Sequence, residues 1–432
     1  MTLPPAALSC DVFCRVVDNY GDAAVCWRLA SGLAAGEGFS VRLWIDRPEV
    51  LAALQPALDP AVDAQWLDGV QVRRWPPPPD EPDLPDIAID AFGGGLPDAY
   101  AAALAARRPR ALCIVLEYLS AEDWTAGVHG LASLHPALDL RRFFFCPGFE
   151  AGSGGLLREQ DLPALRGAWD SDPGARAAFR ERLGLSEPAE DSLCVSLFGY
   201  ANTGLHALLD AMAAGPERVQ LALAPGALAE AACAWLRRCG ALPLAAGGAA
   251  LAPGDTVVAG ALHATMLPFL PQPDYDRLLW SCDLNFVRGE DSLVRGLWAA
   301  RPLCWQLYPQ PDDARCLKLD AFARVCRRLA GPGDGSAGPE STALDALETL
   351  QRAWNCCAAA GSAGTPTGAS AGTPSDGGAC PPASAALIAA AWTGVRAGLP
   401  ALQRRSARLA ASLAGQPDLA ARLAGFCRDK LK

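Results

Sequence analysis

CRVVDNYGDAAVCWR, residues 14 to 28, decides how the chain is read. An apolar run from Val12 to Val17 meets Asp18-Asn19-Tyr20-Gly21-Asp22, and a helical pattern carrying Trp27 follows. That is a strand handing over to a helix, the repeating unit of an α/β sheet. The hand-over recurs. Residues 10–17 read as a strand and 22–35 as a helix, and further apolar strands fall at 40–45, 87–92, 111–116 and 142–146. Short apolar strands separated by helices predict a mostly parallel sheet covered on both faces.

Residues 150–190 are rich in Gly, Pro and charge and read as a crossing segment. A second series then begins, with strands at 193–198, 219–222, 256–258, 283–287 and 303–306 and helices over 227–238 and 292–300. The pattern predicts an α/β protein of two Rossmann-like domains, 1–175 and 190–397, facing a central cleft. Within the second, residues 358–384 form a Gly/Ala/Ser/Thr/Pro tract with no apolar period, expected to be a flexible insertion. A helix over 385–397 follows. A last one, within 400–432, is expected to pack back on the N-terminal domain.

The bulk numbers restrict function. At 432 residues the chain is long enough for two cores. A formal charge of -10 offers no general attraction to nucleic acid or acidic membrane, and suits a basic protein partner instead. Sixteen cysteines occur without a single C-x-x-C, and the four histidines (His129, His135, His206, His263) show no metal spacing. Cysteines such as Cys14, Cys113 and Cys304 lie inside apolar runs, where they act as small buried hydrophobes. No signal-peptide pattern and no apolar run of about 20 residues is present, so a soluble, cytoplasmic protein is expected. No Walker sequence occurs, and no G-x-G-x-x-G follows the first strand, so the usual dinucleotide fingerprint is missing.

Three constellations remain. Asp18 and Asp22 stand at the carboxyl end of the first strand, where open α/β sheets hold ligands. They read either as a reactive pair or as a turn and a helix N-cap, with Gly21 serving both readings. In DYDRLLWSCDLNFVRGEDSLVRGLWAARPLCWQ, residues 274–306, a strand runs into Arg288-Gly289-Glu290-Asp291-Ser292 and then a helix. Helix-start amides, the Ser292 hydroxyl and Arg288 would suit a diphosphate, and Glu290 could accept from sugar hydroxyls. A plain helix cap is the alternative. In SLFGYANTG, residues 196–204, Phe198 and Tyr200 could face a nucleotide base and phosphate, joined by Phe269 and Tyr275, or all four could be core.

DVFCRVVDNYGDAAVCWRLA and DYDRLLWSCDLNFVRGEDSLVRGLWAARPLCWQLYPQ together closely resemble the bacterial arginine rhamnosyltransferases that modify translation elongation factor P. The resemblance runs to about residue 330, with the C-terminal helices included. It implies a GT-B glycosyltransferase fold and transfer of L-rhamnose from dTDP-β-L-rhamnose, with inversion, to one arginine of elongation factor P. That modification activates the factor for relief of ribosome stalling at polyproline. No metal and no other cofactor is implied. Position by position, Asp22 matches the family's general base and Asp18 its neighbouring essential carboxylate, with Asn19, Tyr20 and Gly21 between them on the donor side. Phe198, Phe269 and Tyr275 match the nucleotide-base pocket, Tyr200 a contact to the diphosphate, and Arg288, Gly289, Glu290, Asp291 and Ser292 the donor loop. A transferase with another acceptor, or a non-catalytic nucleotide-sugar-binding protein, are the rival readings.

Overall fold

The computed structural model describes residues 7–78, 81, 83–186, 192–242, 251–309, 314–332, 338–356 and 382–432. It divides into two compact units, Met1–Leu165 with Leu413–Lys432, and Arg166–Ser412. Residues 358–381 of the expected insertion lie outside the described residues. The helix after it starts at Pro382, earlier than expected, because Pro is well suited to a first helical turn.

The first unit is built on eight strands: β1 (Ser9–Cys14), β2 (Ser40–Ile45), β3 (Ala64–Leu67), β4 (Val70–Arg74), β5 (Ile87–Ala91), β6 (Leu112–Leu116), β7 (Ala132–Leu134) and β8 (Arg141–Phe145). Their order across the sheet is β3-β4-β2-β1-β5-β6-β8-β7. All neighbours run parallel except the two edge strands β3 and β7, which are antiparallel to β4 and β8. β1, β5 and β6 are buried on both faces, as a covered parallel sheet requires. One polar residue interrupts β1. Asp11, 1 % exposed, receives both Arg42 Nε and Nη2 (2.6 and 2.8 Å), Tyr100 Oη (2.6 Å) and Trp44 Nε1 (2.9 Å). A buried carboxylate is tolerable only when paired and hydrogen-bonded in this way.

The second unit carries β9 (Leu193–Leu197), β10 (Val219–Leu223), β11 (Thr256–Ala259), β12 (Leu262–Met266), β13 (Leu284–Arg288) and β14 (Leu303–Gln306), in the order β11-β12-β10-β9-β13-β14. Only β11 is antiparallel to its neighbour. Its core joins Leu197, Leu221 and Phe286 from the sheet to Trp235, Trp354 and Trp392 from helices.

Two stretches differ from expectation. Residues 150–190 contain two helices, Leu162–Ser171 and Pro173–Arg182, the second started by Pro173 and by Asp172 Oδ1 accepting from Ala175 N at 2.9 Å. At the C-terminus, the single helix expected within 400–432 is two, Leu399–Ala414 and Leu419–Lys430. Gly415 and Pro417 end the first, and Asp418 caps the second through Ala421 N at 3.0 Å. Only the second belongs to the first unit. There Ala420 lies against the π-helical turn Gly32–Gly36, Phe426 packs edge-on to Phe143 and Phe145, and Arg428 pairs with Glu37 at 2.7 Å.

Both sheets reverse direction of growth at one place. In the first, the chain winds outward from β1 through β2 to β4, then returns to β5 on the other side of β1. In the second, the same reversal separates β9 from β13. Crevices at the carboxyl ends of such strand pairs are where open α/β sheets hold ligands. The 18–22 segment, which enters a helix, follows β1, and the 198–200 and 288–292 segments follow β9 and β13.

Candidate functional site

Beyond β1 the chain turns into the helix Asn19–Ser31. Asp18 occupies the N-cap position yet makes no capping bond with its side chain. Asp22, one turn into the helix, reaches back instead. Its Oδ2 accepts from the backbone N–H of Val17 and of Asp18, both at 2.8 Å. The reading of Asp22 as N-cap of its own helix is therefore corrected, because the helix begins three residues earlier. Asp22 fixes the entry loop. It is 3 % exposed, and its Oδ1 accepts no hydrogen bond from any described residue. Gly21 has no positive φ, so space explains it. A Cβ there would lie 3.1 Å from Asp18 Oδ2, and Gly21 N donates to Asp18 O at 2.8 Å.

Asp46, which sequence reasoning missed, follows β2 and accepts from Val16 N through Oδ1 at 2.9 Å. Its signal was its place, the first polar residue after an apolar strand in the same sheet. Burial pushes the Asp22 carboxyl above its ordinary value. The two amide donors offset part of that rise, and the Asp18 and Asp46 carboxylates add to it. An aspartate held so is a stronger base than one in water.

The second unit assembles most of its expected residues. β13 ends at Arg288, and the chain turns through Gly289 at φ +60°, a conformation few side chains tolerate. Trp305 Nε1 donates to Gly289 O at 2.6 Å, and Gly289 N to Gln306 O at 3.0 Å, so the turn is anchored on both sides. The Arg288 guanidinium lies 4.3 Å from the Phe198 ring centre and 4.7 Å from that of Tyr200. Tyr275, from the helix Gln272–Ser281, meets Phe198 edge-on at 5.9 Å. Burial pushes its phenol upward, eased by the adjacent Ser292 hydroxyl. Phe269, on the loop before that helix, is 43 % exposed.

The helix Asp291–Trp298 opens with Glu290 at its N-cap position, and the Glu290 side chain makes no capping bond. Ser292 is its second residue, where first-turn amides lack partners within the helix and favour an anion. Asp291 is differently employed. Its Oδ2 accepts from Arg295 Nε at 3.0 Å, and Arg295 Nη1 donates to Asp276 at 2.8 Å, all three side chains being buried.

Gln306 is the other residue sequence reasoning missed. It closes β14 beside Arg288, is 1 % exposed, and accepts from Tyr200 N through Oε1 at 2.9 Å. Its Nε2 has no partner among the described residues. Its one signal was an amide at the end of the apolar run Leu303-Cys304-Trp305. Among the described residues there is no group of three or more His, Cys, Asp or Glu side chains arranged for a metal, and no single helix is long and apolar enough to cross a membrane.

Comparison with known proteins gives one answer. The family model for "Elongation-Factor P (EF-P) rhamnosyltransferase EarP" matches residues 10–428. A protein-arginine rhamnosyltransferase of Pseudomonas aeruginosa is 39% identical over 98% of this chain and 100% of its own length. Its counterpart in Pseudomonas putida is 40% identical over 98% and 99%. A solved structure concerned with EarP-mediated arginine glycosylation of translation elongation factor EF-P superposes with a TM-score of 0.59 at 30% identity, covering 98% of this chain and 99% of that one.

Proposed function

Since the chain belongs to the EarP family of protein-arginine rhamnosyltransferases, with their GT-B fold, we propose that it moves L-rhamnose from dTDP-β-L-rhamnose to an arginine of translation elongation factor P, with inversion at the anomeric carbon. The observation that carries the chemistry is Asp22: a buried carboxylate with a raised pKa, one oxygen tied to two amides and the other not engaged by any described residue.

A guanidinium is cationic and a poor nucleophile near neutral pH. Asp22 orients it, opposes delocalisation onto the reacting nitrogen, and accepts its proton as the nitrogen–carbon bond forms. Asp18 holds the guanidinium by a paired hydrogen bond. As the new bond forms, the bond from the anomeric carbon to the diphosphate oxygen breaks, and dTDP leaves with that electron pair. Arg288, the Ser292 hydroxyl and the amides at the start of its helix receive the growing phosphate charge, the role a metal fills elsewhere. Phe198, Tyr275 and Phe269 bound the thymine, Tyr200 contacts the diphosphate, and Glu290 accepts from rhamnose hydroxyls. Asn19, Tyr20 and Gly21 contribute to the sugar side through the backbone of their helix's first turn. The reaction takes place in the cytoplasm, where it activates the factor against polyproline stalling.

The test incubates the protein with dTDP-β-L-rhamnose and elongation factor P and follows the acceptor by intact mass. The expected result is the gain of one deoxyhexose at a single arginine, with an α-linkage by NMR. An unchanged acceptor mass in the presence of intact donor overturns the reading.

A further inference from the structure

The 18–22 carboxylates are flanked by a second surface that the proposed chemistry leaves without a task. β5 adjoins β1 at the reversal point of the first sheet, and Phe13 lies level with Asp90. Beyond Ala91 the chain enters Phe92-Gly93-Gly94-Gly95. Arg15, three residues before Asp18, donates from Nη1 to Gly94 O at 3.2 Å, so this loop lies directly against the entry to the carboxylate loop.

Phe92 adopts φ +61°, a left-handed conformation that a bulky residue takes only under constraint. It is pinned by its N–H donating to Leu116 O at 2.7 Å and by its ring stacking on Tyr118, 4.4 Å between centres and 12° from parallel. Tyr118 is 40 % exposed. Strain of this kind costs on the order of 1–3 kcal/mol, and glycine at 92 would avoid it. Packing does not account for it, since Phe92 is only half-buried and its partner faces solvent. What the strain achieves is a flat, paired aromatic step on the molecule's surface.

Next to Tyr118 stands Glu117, the first residue beyond the β5–β6 ladder, which ends where Ala91 lies opposite Leu116. It is half-buried, and among the described residues its carboxylate takes part in no hydrogen bond or ion pair. Burial holds its carboxyl above the ordinary value. Asp90, close by, is differently placed: Gly95 N donates to it at 3.0 Å, and Arg142 and Arg15 lie near enough to counter its charge. A half-buried carboxylate with no cationic partner among the described residues, beside an aromatic pair whose Tyr118 is exposed, is complementary to a cationic side chain of an incoming chain.

We propose that Glu117 and the Phe92–Tyr118 step form the acceptor-docking surface of the first unit, receiving a basic, arginine-bearing loop of the acceptor protein so that one guanidinium reaches Asp18 and Asp22. This rests on the functional reading above and adds to it the residues that grip the acceptor. Glu117 pairs with a basic side chain of the loop. The aromatic step carries the loop's backbone or a second guanidinium by stacking.

Three variants test it: Glu117→Gln, Tyr118→Ala and Phe92→Gly, the last removing the ring while relieving the backbone. Each is assayed for the KM of elongation factor P, for kcat, and for dTDP binding by titration calorimetry. The expected result is an acceptor KM raised about tenfold for Glu117→Gln and for Tyr118→Ala, equivalent to roughly 1.4 kcal/mol each, with dTDP affinity unchanged. Phe92→Gly should raise acceptor KM while leaving the melting temperature at or above that of the wild type. Acceptor KM within twofold of wild type in all three, or equal losses of donor and acceptor affinity, overturns the proposal. Nα-acetyl-arginine methylamide titrated by saturation-transfer NMR provides a readout that does not need elongation factor P. If the wild type neither binds nor modifies that factor, the functional reading fails, and the arginine probe decides this inference alone: signal in the wild type and its loss in Glu117→Gln support it, equal signal or none sinks it.

Discussion

Asp22 Oδ2 accepts the backbone N–H of Asp18 at 2.8 Å, so the buried carboxylate of one residue sets the position of the other's main chain. The pair is a single device. Asp22 is both the clamp that closes the loop and the group with an oxygen left for substrate.

Replacing Asp22 by Asn separates those two roles. An amide oxygen can still accept from Val17 and Asp18, so the fold and dTDP binding should survive. Transfer should fall by about 10²–10⁴, the usual worth of a positioned general base. The acid limb of kcat/KM provides a second check. The free enzyme's base must be ionised, and Asp22 is raised by burial, so activity should climb with pH through a midpoint above that of an ordinary aspartate. For stability the sign is opposite. The folded state holds this proton more tightly than the unfolded chain, so the site costs stability as pH rises through the folded pKa. An acid limb unmoved from the ordinary aspartate value in the wild type would falsify the assignment.

Much of this was legible in the sequence, and the limits have physical causes. Mostly apolar strands were found within a residue or two, as β2 and β14 show, but β1 ends at Cys14, three residues before the expected Val17. β4, reading Val-Gln-Val-Arg-Arg, was not, because polar side chains break up its valines, and the short edge strands β3 and β7 lack the buried signature. β12 was hidden behind β11, a hairpin partner separated from it only by Gly260 and Ala261. Strand order was out of reach, since pairing is set by contacts distant in sequence. At the site, the loop after β1 could be located but not the direction of its carboxylates: Asp22 reads as a cap and is a backward clamp. Asp291 reads as part of the donor loop, and its carboxylate is occupied by Arg295 four residues along the same helix, an i,i+4 pairing open to inspection beforehand.

Gly21→Ala sets helix propensity against geometry. Alanine favours a helix by about 1 kcal/mol over glycine, and near the helix start part of that gain should remain. The melting temperature should hold or rise by a few degrees. The added Cβ would sit 3.1 Å from Asp18 Oδ2 and displace that carboxylate by a few tenths of an ångström. Acceptor KM should rise several-fold, since misplacement on this scale is felt at a reacting centre. A stable Gly21→Ala protein with wild-type KM would mean that the Asp18 carboxylate does not touch the acceptor.

Arg288→Lys keeps the charge and loses the shape. The guanidinium is sandwiched near both Phe198 and Tyr200, a placement that depends on its planar, weakly hydrated head. Lysine can neither stack on two rings nor bind a diphosphate through two donors. Affinity for dTDP should drop about tenfold, and kcat should fall further, because the leaving phosphate gains charge in the transition state. Calorimetry and single-turnover rates give the two numbers. Weaker dTDP binding with an unchanged single-turnover rate would place Arg288 in ground-state binding alone.

Gln306→Leu tests whether the missed amide matters. Gln306 Oε1 is the acceptor for Tyr200 N, and a Cβ on Gly199 would come within 2.5 Å of it, so the 198–200 loop is seated on this side chain. Leucine is close in volume and removes the acceptor, leaving a main-chain donor unsatisfied at a cost of about 1–3 kcal/mol. Part of that strain can be released by the loop lifting away, which carries Tyr200 and Phe198 out of place against Arg288. The expected signature is a split: dTDP binding weakened about tenfold or more, a melting temperature lower by a few degrees, and acceptor KM unchanged, because the first unit is untouched. If stability falls and dTDP affinity does not, Gln306 supports the sheet edge and has no part in shaping the donor pocket.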